Sequence, residues 1–208
     1  MSTPAHARSS TGFRQLPAST TLEGYGVKLS PLLLEHVNAL EQASADGKLW
    51  TLNITTAPAP GQGEAYIAQA LQGQQAGHSV PFIVTEIESG AIIGTTRYYE
   101  VVPEIARLAI GYTWYAKRWQ RTHINTACKL LLLEHAFGVL GASVVAWHTD
   151  IANIASQRAI ERLGAQKDGV LRHHALRRDG TVRDTVSYSM LASEWPAAQQ
   201  RLQQRLTQ

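Results

Sequence analysis

The sequence predicts a mixed α/β domain, one largely antiparallel sheet with helices packed against it. Three observations predict it. Strand-like runs at 81–88, 91–99 and 107–115 follow one another, the first two joined by a Ser89-Gly90 turn, as in an antiparallel meander. A long helical segment from about Asn125 to Leu140 then leads to another strand-like run, 143–150, and such a passage lays two strands side by side in parallel. Two further runs meet across Arg178-Asp179-Gly180, where the Asp-Gly pair favours a tight hairpin turn.

The elements follow in order. Residues 1–20, rich in Ser, Thr, Ala and Pro without periodicity, read as a poorly ordered tail, 21–196 as the domain, and 197–208 as a helical tail. Tyr25 to Ser30 reads as a first strand, and Ser30-Pro31 as an N-cap with proline at the first helical position. Leu33, Leu34, Val37 and Leu40 mark one face of that helix, and Lys48 to Pro60 is irregular. Tyr66, Ile67, Ala70 and Leu71 recur at helical spacing between Gly63 and Gly77. The long helix shows Leu130, Leu131, Leu133, Ala136, Phe137 and Leu140 on a broad apolar face and stops at Gly141. Asn153 to Leu163 is helical and closes on Gly164, and a polar, Gln-rich helix follows Ser193.

Composition narrows the function classes. At roughly 150 residues per domain, 208 residues make one domain with tails, and no linker divides the chain. An apolar fraction of 44% excludes a mainly disordered chain. The charged fraction is 17%, and 19 Lys and Arg against 16 Asp and Glu, spread along the chain, argue against a dedicated nucleic-acid binder. Cys128 is the single cysteine, so there is no internal disulfide, and no Cys/His spacing suggests a metal site. His173-His174 does not make one either, since neighbours on a strand face opposite ways. Met1 to Pro17 lacks the apolar core of a secretory signal, and Leu130 to Trp147 is broken by Glu134, His135 and glycines. A soluble, cytoplasmic protein with no membrane partner is the expectation.

Two segments are candidates for chemistry. Trp119-Gln-Arg-Thr-His-Ile-Asn-Thr lies between a strand and a helix, where unpaired amides at the helix start suit a phosphate; on composition alone the simpler reading, a helix capped by Asn125, is favoured. Asn153 and Ser156, three apart, share a helix face and can meet one ligand; taken alone, they read first as a cap and an early-turn serine.

Taken together, the order of elements and the motifs resemble the GNAT acetyltransferase superfamily, in its RimJ/RimL-like branch, from about Leu22 to Trp195. The motifs are Gly94-Thr-Thr-Arg-Tyr, Ile110-Gly-Tyr-Thr-Trp-Tyr, Ile124-Asn-Thr, Lys129-Leu-Leu-Leu-Leu, Asn153-x-x-Ser156, Arg162-Leu-Gly-Ala and Glu194-Trp-Pro. The resemblance implies a sheet splayed at its parallel pair to admit acetyl-CoA as cosubstrate, with no metal. It implies that the backbone of Tyr112, Thr113 and Trp114 holds the pantetheine arm. The pyrophosphate would sit on Gln120, Arg121, Thr122, His123, Ile124, Asn125 and Thr126. Asn153 would contact the arm and Ser156 would stabilise the leaving sulfur. Trp50, Arg97 and Tyr98, with Tyr99, would line the acceptor pocket, Arg97 suiting an acidic group. The implied activity is acetyl transfer to a primary amine, of a protein N-terminus or a small molecule, by a monomer or homodimer. The alternative is a degenerate relative that binds CoA or a peptide without turnover. Two departures from the pattern support that alternative: His123 stands where glycine is usual, and Ala109 where many relatives carry a carboxylate suited to act as base; Ala127 also stands where Glu is common. Glu100, Glu104 and His148 are the substitutes for that base.

Overall fold

The computed structural model describes residues 12–14 and 17–207. Most of the expected tail thus lies outside the described residues. Within it, Phe13 packs on the core and the Arg14 amide donates to the Leu140 carbonyl at 2.8 Å. Eight strands form one sheet in the order β1-β2-β3-β4-β5-β6-β8-β7. They are β1 (Leu22–Gly24), β2 (Val27–Pro31), β3 (Ser79–Glu86), β4 (Ile92–Val102), β5 (Arg107–Tyr115), β6 (Val144–Asp150), β7 (Gln166–Leu176) and β8 (Val182–Leu191). The pair β5–β6 is parallel, and the others are antiparallel.

The first strand is two. Tyr25 and Gly26 take left-handed φ values of 54° and 78°, and this two-residue turn folds β1 back onto β2. Ser30 and Pro31 therefore pair with Ile83 and Phe82 at the end of β2 instead of capping a helix. The first α-helix, α1 (Val37–Ala45), buries Leu40 and Ala43, whereas Leu33 and Leu34 precede it and are exposed.

Helices cover both faces of the sheet, so β3 is buried at all but one position. Phe82 and Val84 join the core beneath α3 (Ile124–Glu134) and α5 (Trp195–Leu206), while Ile83 joins a second core beneath α1 and α2 (Gly63–Gln75). In α3, Leu130, Leu132 and Leu133 are fully buried, each contributing roughly 1.5–3 kcal/mol. Glu134 at its end accepts from Tyr25, Gln199 and Gln203, each at 3.2 Å, joining the first hairpin to α5. The boundary expected at 196/197 thus falls inside a helix whose Trp195, Ala198 and Leu202 are core residues. Beyond Glu134 the helix widens into a π turn, His135–Val139, where the Tyr98 hydroxyl donates to the Leu132 carbonyl at 2.5 Å.

Asp150 closes β6. It is 1% exposed and accepts from Arg177 Nε at 2.7 Å, Arg177 Nη2 at 3.1 Å and the Ala152 amide at 2.8 Å. Burial alone would raise its pKa, but these bonds reverse the direction and hold it below the ordinary aspartate value. Its stabilising contribution is present above the unfolded value near 3.8 and is lost as pH falls through the lower folded one. Asp150→Asn is expected to lower the urea midpoint at pH 7, with the gap from the parent closing below pH 4. Equal midpoints at pH 7 would show that the pair contributes nothing.

Candidate active site

Strands β5 and β6 are paired over three positions, Arg107↔Val144 to Ala109↔Ala146, and then part. From Ile110 on, β5 has no strand on that side, while β6 stays with β8 as far as Asp150. The cause is visible between β4 and β5. Their register slips between Thr95↔Trp114 and Arg97↔Gly111, and Tyr112 in the slipped segment takes φ 51°. Gly94 is required where the strands meet tightly, because a Cβ there would lie 2.0 Å from the Trp114 carbonyl oxygen.

A buried cation sits beneath this bulge. Lys129, 5% exposed, donates from Nζ to Thr113 Oγ1 at 2.6 Å and Thr96 Oγ1 at 3.2 Å, and the two hydroxyls lie 2.8 Å apart. Thr113 in turn donates to the Gly111 carbonyl at 3.3 Å. Burial pushes the Lys129 pKa down to about 8, and no carboxylate offsets it. Sequence reading passed over this residue within a motif; its signal was a lone charge inside the otherwise apolar run from Ala127 to Leu133.

At the start of α3, Arg121 takes φ 63° and the helix begins at Ile124, with His123 rather than Asn125 at the cap position. Thr122 Oγ1 donates to the Trp119 carbonyl at 2.7 Å and accepts from the Ile124 amide at 3.3 Å. Gln120 Nε2 ties the loop to the Tyr115 carbonyl at 2.9 Å. The amides of Arg121, Thr122, His123, Asn125 and Thr126 donate to no acceptor among the described residues. His123 is exposed, and its imidazole lies against Gly26 and the charge of Glu86, so it leans on the first hairpin. Asn153 caps α4 (Ile154–Leu163) by accepting the Ser156 amide at 3.0 Å; the partly buried Ser156 hydroxyl has no partner among the described residues.

The face opposite α3 carries the other residues. Thr95, Arg97 and Tyr99 alternate onto it, and Tyr66 of α2 bonds Thr95 Oγ1 at 2.8 Å and accepts from Trp114 Nε1 at 3.2 Å. The Arg97 guanidinium lies 4.4 Å from the centre of the Tyr112 ring and 5.3 Å from that of Tyr66. Tyr99 meets Tyr112 and His148 edge-on. Gly111 leaves room for Tyr99, whose ring would lie 2.7 Å from a Cβ there. Tyr98 does not join them. Alternation turns it to the α3 side, where it is fully buried, so it is a core residue and not a pocket wall. Trp50 takes part through its backbone: its carbonyl and that of Ala57 both accept from Arg178 Nη1 at 2.9 Å. Asn53 bonds Asp179 at 2.7 Å, and the β7–β8 hairpin thereby closes a cleft of about 500 Å³ against the 53–58 loop and α2.

His148 of β6 and Glu100 of β4 reach toward each other across β5, and Nε2 lies 3.1 Å from the carboxylate. Residue 109 is paired with Tyr99 on one side and Ala146 on the other, so this pair spans β5 at Ala109. His148 Nδ1 is buried without a partner among the described residues. Glu104 is exposed on the turn Pro103–Ile105, at the closed end of the β5–β6 pair.

Residues 27–166 match the acetyltransferase (GNAT) domain family. A GCN5-related N-acetyltransferase from Brucella melitensis has the same fold at a TM-score of 0.83, with 28% identity over 94% of this chain and 89% of that one. Mycobacterium smegmatis RimJ in complex with CoA-disulfide shares the fold at a TM-score of 0.75, with 20% identity over 90% of this chain and 95% of the other. The uncharacterized N-acetyltransferase YoaA of Bacillus subtilis (strain 168) is 29% identical over 100 residues, 48% of this chain; the match spans 55% of YoaA, about half its length.

Lys129 makes a prediction about pH. Between about 8, its folded value, and 10.5, the ordinary one, the unfolded chain holds a proton that the folded chain has released, so this residue makes stability rise with pH. At about 1.4 kcal/mol per pH unit the rise is on the order of 3 kcal/mol. Cys128, held up to about 11 by burial, opposes it above pH 9 but is common to both proteins. The stability of the parent relative to Lys129→Met is therefore expected to grow between pH 7.5 and pH 10, read from paired urea titrations. A pH-independent difference would contradict the burial of a titrating ammonium.

Proposed function

The chain belongs to the GNAT acetyltransferase family, and from that premise we propose an acetyl-CoA-dependent N-acetyltransferase of the RimJ/RimL-like kind that acts on a primary amine. The observation that carries this reading is the parting of β5 from β6 beside a helix start whose amides are unpaired. Those features fit the cosubstrate: an extended amide-bearing arm suits a free strand edge, and a pyrophosphate suits convergent amides at a helix N-terminus. Bound acetyl-CoA supplies the acetyl group as a thioester open to an amine. The backbone of Tyr112 to Trp114 would align the arm, Gln120 to Thr126 would hold the pyrophosphate, and the Asn153 carboxamide, already fixed by its cap, would bond the arm.

The remaining steps fall to side chains and one amide. Glu100 holds a proton on His148 Nε2, which leaves the lone pair on Nδ1, a buried acceptor without a donor. An acceptor ammonium would give its proton to that nitrogen and become the nucleophile. This pair, drawn from the strands on either side of Ala109, would do the work of the carboxylate the family often carries at that position. A backbone N–H of Ile110 to Thr113 would meet the charge developing on the carbonyl oxygen, and the Ser156 hydroxyl would donate to the departing sulfur. Trp50 and Arg97 belong to the acceptor side in this reading. A cytoplasmic location, in keeping with the unpaired, buried Cys128, and a monomer or homodimer complete it.

Calorimetry is expected to show CoA binding, and a panel of amines to show acetyl transfer. His148→Gln should lower kcat about 10²-fold or more while leaving the CoA Kd unchanged, and Ser156→Ala should lower kcat more than affinity. Absence of CoA binding would overturn the family activity for this chain. CoA binding with no transfer to any amine would select the binding-only alternative.

A further inference from the structure

Arg97 is 7% exposed and its Nε is buried with no partner among the described residues. No hydrogen bond or ion pair reaches its guanidinium from any described residue; the rings of Tyr112 and Tyr66 are what it touches. Aromatic faces offset part of the lost hydration but satisfy none of its five N–H donors. A buried cation left in that state is costly unless an anion completes it.

The chain's own carboxylates do not. Asp150 is held by Arg177 and the Ala152 amide, Asp179 by Thr181 and Asn53, and Glu100 by His148. No acidic side chain lines the cleft, whereas Arg177, Arg178 and Arg183 do. Of these, Arg177 is spent on Asp150 and Arg178 on the carbonyls of Trp50 and Ala57. Arg183 makes no hydrogen bond or ion pair among the described residues: its Nε is buried without a partner there, and its charge acts at longer range on Asp150, which Arg177 already holds, and on Tyr99, the ring packed against Tyr112. Two unfilled guanidinium groups thus flank one aromatic floor.

Their place along the sheet matters as much as their charge. Arg97 is paired in register with Gly111, the residue before the bulge, and His148 adjoins Tyr99 on the same face. An anion on Arg97 therefore lies close to the nitrogen that would give its proton to His148.

Resting on the acetyltransferase reading, we infer that the acceptor is a small amine carrying a carboxylate or phosphate close to the reacting nitrogen, seated on Arg97 with Arg183 at its outer side. Guanidinium groups bind either anion through paired N–H donors. An unmodified protein N-terminus, whose amine is followed by a neutral amide, lacks that anion.

The test uses the full chain saturated with CoA and three matched probe series: free amino acids, their carboxamides, and phosphoethanolamine against ethanolamine. Binding is read by calorimetry and turnover, with acetyl-CoA, by thiol release. At least one anionic amine is expected to bind about tenfold or more tighter than its neutral partner, and the series in which this occurs identifies carboxylate or phosphate. Arg97→Gln should collapse that ratio toward unity. Because a change at a buried site can disturb folding, the partly buried Arg183→Gln is run beside it and should reduce the same ratio several-fold with the CoA Kd unchanged. Selective anion binding without acetyl transfer would uphold the anion site and count against the acetyltransferase reading. Transfer to neutral amines at equal or better kcat/KM, or no discrimination in either variant or parent, would overturn the inference while leaving that reading intact.

Discussion

A lysine ammonium buried under a slipped pair of strands is the interaction on which the rest of this molecule depends. Lys129 reaches from the second turn of α3 to the hydroxyls of Thr96 and Thr113, one on each strand of the β4–β5 pair, where the register changes. A bulge leaves ladder groups unpaired and bends the strand that carries it. Here a charged donor, kept from water and given two hydroxyl acceptors, holds the bend in one place. Because β5 bends, it leaves β6 after three paired positions, and the candidate site lies around the gap that results.

The gap sorts the chemistry onto two sides. The α3 side offers the strand edge and unpaired amides, both suited to a long anionic cosubstrate. The other side is aromatic and cationic: Tyr66, Tyr99 and Tyr112 form a floor, and Arg97 and Arg183 form no ion pair among the described residues. The same strand alternation that sends Arg97 and Tyr99 to this side sends Tyr98 into the core, where its hydroxyl bonds the Leu132 carbonyl beside the π turn. A residue from each neighbouring strand, Glu100 and His148, then meets across β5 where a small Ala109 stands between them.

How far the sequence carried the interpretation can be judged on particular residues. The meander, the crossover helix, the 178–180 hairpin and the capping glycines were legible because each rests on a local rule of periodicity or turn chemistry. Ser30-Pro31 misled because a cap and a strand end use the same residue types, and pairing with β3 decided between them. Trp50 was legible as part of the 48–60 loop, but its contribution is a carbonyl, which no side-chain reasoning identifies. His123 stands out in the sequence as a departure in the phosphate loop, but its lean against Gly26 depends on the first hairpin and is not readable locally. Asn153 and Ser156 form the cap that one reading of their spacing expected, Asn153 accepting the Ser156 amide, and the same spacing leaves both on one helix face.

The sequence by itself determined the class of fold, the order of its elements and the family, since periodicity, turn residues and motif spacing act over short stretches of chain. Only the tertiary structure decided where charge is left unpaired. Lys129 and Arg183 read as ordinary members of a set of 19 basic residues, and Arg97 was legible only as a pocket residue suited to an acidic group; what each can do depends on which acceptors come within reach and how much water is excluded. Those are properties of segments far apart in sequence, brought together by the packing of α2, α3 and the last hairpin on one sheet.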